Sequence, residues 1–351
     1  MYMGVPNNSV LSVWTRKPLV QLFFFIALCL CALIANSAQA KTFKIATVAP
    51  DGTTWMNELK LAATEIKKRT DGRVKFRFYP GGVMGNDKSV LRKIRVGQLH
   101  GGAITGGGLV DINPDSQVYS LPLAFRSHDE VDYVRKHMDK TIIEGLKQQG
   151  FISFGLGEGG FAYLMSDKPV NDINELKSYK VWAPEGDQFS RAAFESIGVS
   201  PVQLPLTDVL TGLQTGLIDT IASSAMGAIA LQWHSNVKYV TTTPLMYLYG
   251  TLVIQRKAFE KLKPEDQKIV EEVMSKTFVA LDALNRKDNR QAKAALEKQG
   301  IAFTTPSSDE QSQWQHAVKS AVTQLVSKDI ISSGITQQLY KHISDFRNGS
   351  H

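Results

Sequence analysis

The run Gly155-Leu156-Gly157-Glu158-Gly159-Gly160 has the G-x-G-x-x-G spacing in which glycine backbones cradle a pyrophosphate. That chemistry needs a helix to open at the last glycine, so that its N-terminus faces the phosphates. Phe161 to Met165 reads instead as another strand, so the run is a strand-to-strand crossing suited to a hinge. Gly106-Gly107-Gly108 admits two readings, a close approach of backbone to ligand or a simple loop. The histidines are His100, His128, His137, His234, His316, His342 and His351. No two lie three or four apart, so a helical zinc motif is missing. No G-x-S-x-G places a nucleophilic serine. Both cysteines, Cys29 and Cys31, fall in an apolar leader. No catalytic residue, metal ligand or cofactor is expected.

The elements that would carry a binding site are clearer. Phe43 to Val48 reads as a strand, and Thr53 or Thr54 caps a helix to Arg69 with Trp55, Leu59, Ala62 and Ile66 on one face. Arg73 to Tyr79 alternates as a half-buried strand. A helix over Asp87 to Val96 and a strand over Leu99 to Thr105 follow. This βαβαβ rhythm predicts a mainly parallel sheet, whose ligands bind at the carboxyl ends of the strands. A second α/β unit repeats it: strands at Phe151 to Leu156, Phe161 to Ser166 and Tyr179 to Ala183, a helix at Asp187 to Ile197, an extended Val202 to Pro205, a helix at Asp208 to Thr215 and a strand at Leu217 to Ala222. From Pro264, apolar residues hold a 3–4 spacing up to Gly300, predicting a helix long enough to pack across two lobes.

Length and composition bound the rest. The chain has 351 residues, 43% hydrophobic and 21% charged, which suits a soluble globular protein of two domains. Arg16 and Lys17, the apolar run to Ala35 and Ala38-Gln39-Ala40 form a secretory signal peptide over residues 1–40, with cleavage expected after Ala40. The run is shorter than the roughly 20 residues of a membrane span. The formal charge is +7, but the basic residues are interspersed with acidic ones and form no stripe, so no nucleic-acid partner is expected.

Glu175 to Thr220 contains L-K-x-x-K-V-x-x-P, G-V-S-P-V-Q-L-P and L-Q-T-G-L-I-D in order. With Pro80-Gly81-Gly82-Val83-Met84-Gly85 and Leu121-Pro122-Leu123-Ala124-Phe125, this set resembles the solute-binding proteins of tripartite ATP-independent periplasmic (TRAP) transporters. The resemblance covers residues 42 to 330. It implies an α/β fold of periplasmic binding protein type, with two lobes, mainly parallel sheets, a ligand cleft between the lobes and a long bridging helix. It also implies a periplasmic location, closure on a small organic ligand and delivery to integral-membrane TRAP permease subunits. Lobe I is then residues 41–160 with about 250–285, lobe II is 161–249 with about 286–330, the bridging helix is 264–299, and 331–351 is a C-terminal tail.

The departures bear on the ligand. The resemblance implies an arginine two residues before the strand-ending proline, forked onto a ligand carboxylate. Here that residue is Trp182, the arginine after the crossing Gly-Phe is Ala162, and the polar residue of the next strand end is Ser223. A closed carboxylate without a partner costs several kcal/mol, whereas an indole offers apolar area. An apolar or neutral ligand is therefore expected. The ligand-binding candidates are Trp182, Tyr163, Trp55, Phe161, Ser223, Trp233, Met226 and Tyr247. An organic acid held by Arg191, or by the N-terminus of the Asp187 helix, is the alternative. The arginine-free group within this family implies a helical-repeat periplasmic partner. An exported enzyme or a sensor-input module remains the reading from another class.

Overall fold

The computed structural model describes Met1, Gly4, residues 40–170 and residues 172–349. The signal-peptide reading for residues 1–40, with Cys29 and Cys31, lies almost wholly outside the described residues. Among the described residues, no helix is long and apolar enough to cross a membrane.

Eleven strands are described: β1 Lys41–Thr47, β2 Val74–Tyr79, β3 Gly101–Thr105, β4 Phe151–Ser153, β5 Gly157–Ser166, β6 Trp182–Pro184, β7 Val202–Leu204, β8 Thr220–Ser223, β9 Tyr239–Thr241, β10 Met246–Gln255 and β11 Ala302–Thr304. The helices are α1 Thr54–Arg69, α2 Asp87–Arg95, α3 His128–Gln148, α4 Gln188–Ser196, α5 Val209–Gln214, α6 Ala225–Ala230, α7 Arg256–Phe259, α8 Pro264–Lys298, α9 Ser308–Ser327 and α10 Ser333–Arg347. Local chemistry sets their ends. The Thr53 hydroxyl caps α1 by accepting from the Met56 N–H, and Asn86 caps α2 by accepting from Ser89.

One sheet runs in the order β11-β9-β5-β10-β3-β1-β2, with β4 on β10 and β8 on β5. The two long strands make it continuous. Gly157 to Ala162 of β5 pair with β10, while Tyr163 to Ser166 pair with β8 and β9. β10 then passes to β3 through Gly250 to Ile254. Each long strand thus belongs to two halves of the molecule and crosses between them. Both run antiparallel to their neighbours, so the sheet is mixed where the βαβ rhythm predicted mainly parallel pairing; β1–β3, β9–β11 and the separate β6–β7 pair are parallel. A single-sequence rhythm sees strand–helix–strand units but not the long-range return of β10.

The glycine-rich crossing is regular strand. Gly160 pairs with Leu248 and Glu158 with Tyr249, leaving Gly159 as an extra, bulged residue. Gly160 has φ +92°, and a side chain there would press on Asn289 of α8. α8 spans 35 residues, about 52 Å. Its Val270, Met274, Phe278 and Leu281 enter the core formed by β1, α1 and β10, and its Ala292 and Leu296 enter the core around β8 and α6. The segment expected as a C-terminal tail carries α10, whose Arg347 donates to Glu130 of α3. The strand expected over Tyr179 to Ala183 is short and includes Pro184, because β6 pairs only with β7 and needs no donor from the proline.

Candidate functional site

At the carboxyl end of β3 the chain turns through Thr105 to Gly108 and meets the start of α2. The Thr105 N–H and hydroxyl both donate to one Asp87 oxygen, at 3.1 and 2.6 Å. A Cβ on Gly108 would collide with the Asp87 carboxylate, so the glycine run brings backbone close to an aspartate of the protein itself. The other oxygen, Asp87 Oδ1, is buried without a hydrogen-bond partner. Burial pushes the Asp87 carboxyl up to about 6, against the lowering effect of the Thr105 donors.

Gln117, on the 3-10 helix Pro114–Ser120, is the next polar group along this wall. Its Nε2 donates 2.8 Å to Asp187 Oδ1, and its Oε1 is buried without a partner. Asp187 caps α4, accepting from the Phe189 and Ser190 N–H groups and the Ser190 hydroxyl. Two further contacts join the same halves: Asn86 Nδ2 donates to Glu185 at 3.4 Å, and a Cβ on Gly82 would press on the Thr207 methyl. The strand-end loops of β3 and the β6–α4 segment therefore face and touch each other.

The sequence-derived candidates fall into two groups and one outlier. Trp182, Trp233, Tyr163 and Met226 share one apolar cluster, and Ser223 is the β8 partner of Tyr163. Trp182 is only 4% exposed; its Nε1–H donates 3.0 Å to the Leu204 carbonyl and its ring meets Trp233 edge-on at 5.4 Å. Tyr163 and Met226 are the half-buried members, and burial raises the Tyr163 phenol. The Ser223 hydroxyl donates to the Ser224 carbonyl.

Trp55, Phe161 and Tyr247 gather on the crossing strand around Glu158. Trp55 Nε1–H donates to the Glu158 carbonyl at 3.3 Å. Phe161 packs on His128 and on Tyr247. The Tyr247 hydroxyl donates to Glu158 Oε2 and accepts from Arg135, and burial holds the phenol far above its ordinary range. Arg191 is brought to neither group: it lies half-exposed on α4, 3.6 Å from Glu195. Asp87, Gln117, Asp187 and Glu158 were not singled out from sequence. The signal for Asp87 was the glycine triplet, read without knowing what it approached. Among the described residues, no group of three or more His, Cys, Asp or Glu side chains could hold a metal ion.

Residues 45–329 match the family model described as bacterial extracellular solute-binding protein, family 7. An uncharacterised protein of Salmonella typhimurium is 26% identical over 219 residues, 61% of this chain and 66% of that one. The sialic acid-binding periplasmic protein SiaP of Vibrio cholerae is 21% identical over 286 residues, 80% of this chain and 88% of SiaP. Among solved structures, the sugar acid binding protein DctPAm of Advenella mimigardefordensis, in complex with galactonate, superposes with a TM-score of 0.81 at 16% identity, covering 87% of this chain and 98% of that one.

Proposed function

Because the chain belongs to family 7 of the bacterial extracellular solute-binding proteins, the receptors of TRAP transporters and not enzymes, we propose that it captures a small uncharged organic ligand between its lobes and delivers it to an ion-coupled membrane permease. The lobes are taken as residues 41–160 with about 250–285, and 161–249 with about 286–330. Removal of residues 1–40 on export would leave a chain beginning near Lys41.

The observation that carries the ligand class is the state of the three positions where the family resemblance implies a polar clamp. Trp182, Ala162 and Ser223 supply no cation, the Trp182 N–H is already held by Leu204, and the Ser223 hydroxyl donates to Ser224. The arginines that reach inside are also paired, Arg135 with Asp139 and Asp282, Arg286 with Asp132 and Glu158. A dicarboxylate closed between these walls would lack a counter-charge, at a cost of several kcal/mol. Trp182, Tyr163, Ser223, Met226 and Trp233 are proposed as the lobe II side of the site, with Tyr163 and Met226 nearest its surface. Trp55, Phe161 and Tyr247 are proposed to support the crossing strand beside it.

The second reading, an organic acid, is favoured by the ligands named for related proteins, sialic acid and galactonate. Its two proposed clamps are weak. Arg191 lies half-exposed beside Glu195, and the N-terminus of α4 is filled by the carboxylate of Asp187. A helical-repeat partner gains no support from the related proteins and forms no part of this reading. Native mass spectrometry of the exported protein, followed by titration calorimetry with C4-dicarboxylates, galactonate, sialic acid and neutral compounds, tests the proposal. A neutral co-purified ligand is expected. Submicromolar binding of an acid that is lost on Arg191→Ala would overturn the ligand class.

A further inference from the structure

The lobe I wall carries an unmet chemical demand, and it is specific. Asp87 Oδ1 and Gln117 Oε1 are both acceptors, both buried and both without a partner. The orientation of the Gln117 amide is fixed by its Nε2 donating to Asp187, so its free atom is the oxygen. Gln117 is 2% exposed. Buried acceptors are normally satisfied, and two left open on the elements that flank the Thr105–Gly108 turn call for a donor from outside the chain. Thr105 links them: its hydroxyl bonds Asp87, and Gly107 beside it abuts Gln117.

We infer that the ligand presents hydrogen-bond donors to Asp87 and Gln117, and that it is a polyhydroxylated or amino-bearing neutral-to-cationic molecule of carbohydrate size, not a simple hydrocarbon. This rests on the receptor reading above but not on its uncharged ligand class, which an amino-bearing ligand would replace. Donors are what an acceptor-only wall recognises, and hydroxyl or ammonium groups are the donors that a molecule of carbohydrate size supplies. The family's acid clamp is missing at Trp182 and Ala162, so nothing in the two walls rewards a carboxylate. The charge of Asp111 acts on Asp87 and raises its carboxyl, and Asp187 lies beyond Gln117. An added ligand carboxylate would be repelled by all three.

The test is calorimetric titration of a matched panel: C5 and C6 polyols, their amino sugars and the corresponding sugar acids, galactonate included. It uses the wild-type protein and Asp87→Asn, between pH 5 and pH 8. Binding of a polyol or an amino sugar, weakened about tenfold or more by Asp87→Asn, is expected. The two arms separate a hydroxyl from an ammonium as the donor. Wild-type affinity should fall as pH drops below 6, where Asp87 takes up a proton, and that fall should vanish in Asp87→Asn. A structural role alone would not move the pH profile. Preference for the sugar acid with indifference to Asp87→Asn overturns the inference while leaving the receptor reading intact. So does an apolar co-purified ligand, and so does a failure of the wild type to bind any member of the panel. The receptor reading falls only if native mass spectrometry and every titration come back empty.

Discussion

Two buried carboxylates show what separates the crossing of this molecule from its crevice. Glu158 is fully buried on β5, and its side chain meets Arg286 Nε at 2.8 Å, His128 Nε2 at 2.9 Å and the Tyr247 hydroxyl at 3.3 Å. Its backbone is held as tightly: the N–H donates to Asp282, and the carbonyl accepts from Asn285 and Trp55. Asp87 has the Thr105 donors on one oxygen, no cation, and a second oxygen with no partner. Burial is common to both, so burial does not mark a binding site. What separates the two is charge: Glu158 lies 2.8 Å from the Arg286 guanidinium, whereas Asp87 has only the Thr105 donors. The crossing holds its carboxylate with a guanidinium of the chain itself, although Glu158 Oε1, beside His128, and Asn285 Oδ1 have no hydrogen-bond partner either.

The largest effect should come from breaking the charge-paired side. Arg286→Met leaves Glu158 buried without its guanidinium and leaves Asp132 without a partner. The loss should be about 3–5 kcal/mol in urea unfolding at pH 7. A loss under about 1 kcal/mol would mean that His128 and Tyr247 suffice, and that the crossing is less tightly balanced than its contacts indicate.

Next in size, and opposite in sign, is the crevice. Asp87→Asn keeps an acceptor for Thr105 and removes a buried charge. The folded carboxyl titrates near 6, above its value of 3.8 in an unfolded chain. A raised acid pKa means that ionisation is penalised in the folded state. The penalty is absent below the unfolded value, grows as pH rises towards 6 and is constant above. Asp87→Asn should therefore stabilise the ligand-free protein by about 1–3 kcal/mol at pH 8 and hardly at all at pH 4. Thermal unfolding across that range checks both the sign and the window. Stabilisation by removing a residue that the ligand needs is the usual signature of a site that trades stability for function.

These contrasts also explain what was legible in the sequence. The Thr53 cap, the Asp87 start of α2 and the whole of α8 rest on partners within a turn or two, and all appear where composition and periodicity place them. Trp182 opens β6 two residues before Pro184, but which way its indole turns depends on Leu204 and Trp233, set by tertiary packing. Asp87 and Thr105 are 18 residues apart, Gln117 and Asp187 are 70 apart, and Glu158 and Arg286 are 128 apart. No local pattern announces such pairs. The same limit hid the mixed sheet, because β10 returns to β3 and β5 from far along the chain.

The smallest expected effect sharpens the comparison by moving it to two tryptophans, each 4% exposed in an apolar core. Trp182 has its N–H on the Leu204 carbonyl, whereas Trp314 Nε1 is buried with no partner. Trp314 lies among Leu176, Phe194 and Leu245, apolar neighbours that offer its N–H no acceptor. In Trp182→Phe the lost hydrogen bond, the stranded carbonyl and the lost packing all act in one direction, so a cost of about 1–3 kcal/mol is expected. In Trp314→Phe the lost packing is offset by removing an unpaired donor, whose burial costs about 1–3 kcal/mol. The two terms nearly cancel, and the net change should lie within about 1 kcal/mol of zero. Paired urea titrations of the two variants read the difference directly. Equal losses would show that Trp314 has a partner such as a bound water. A near-zero Trp314→Phe beside a costly Trp182→Phe would show that an unmet group also occurs in plain packing. The assignment of Asp87 and Gln117 as a ligand wall would then rest on their shared place beside the Thr105–Gly108 turn and on two of them coming together.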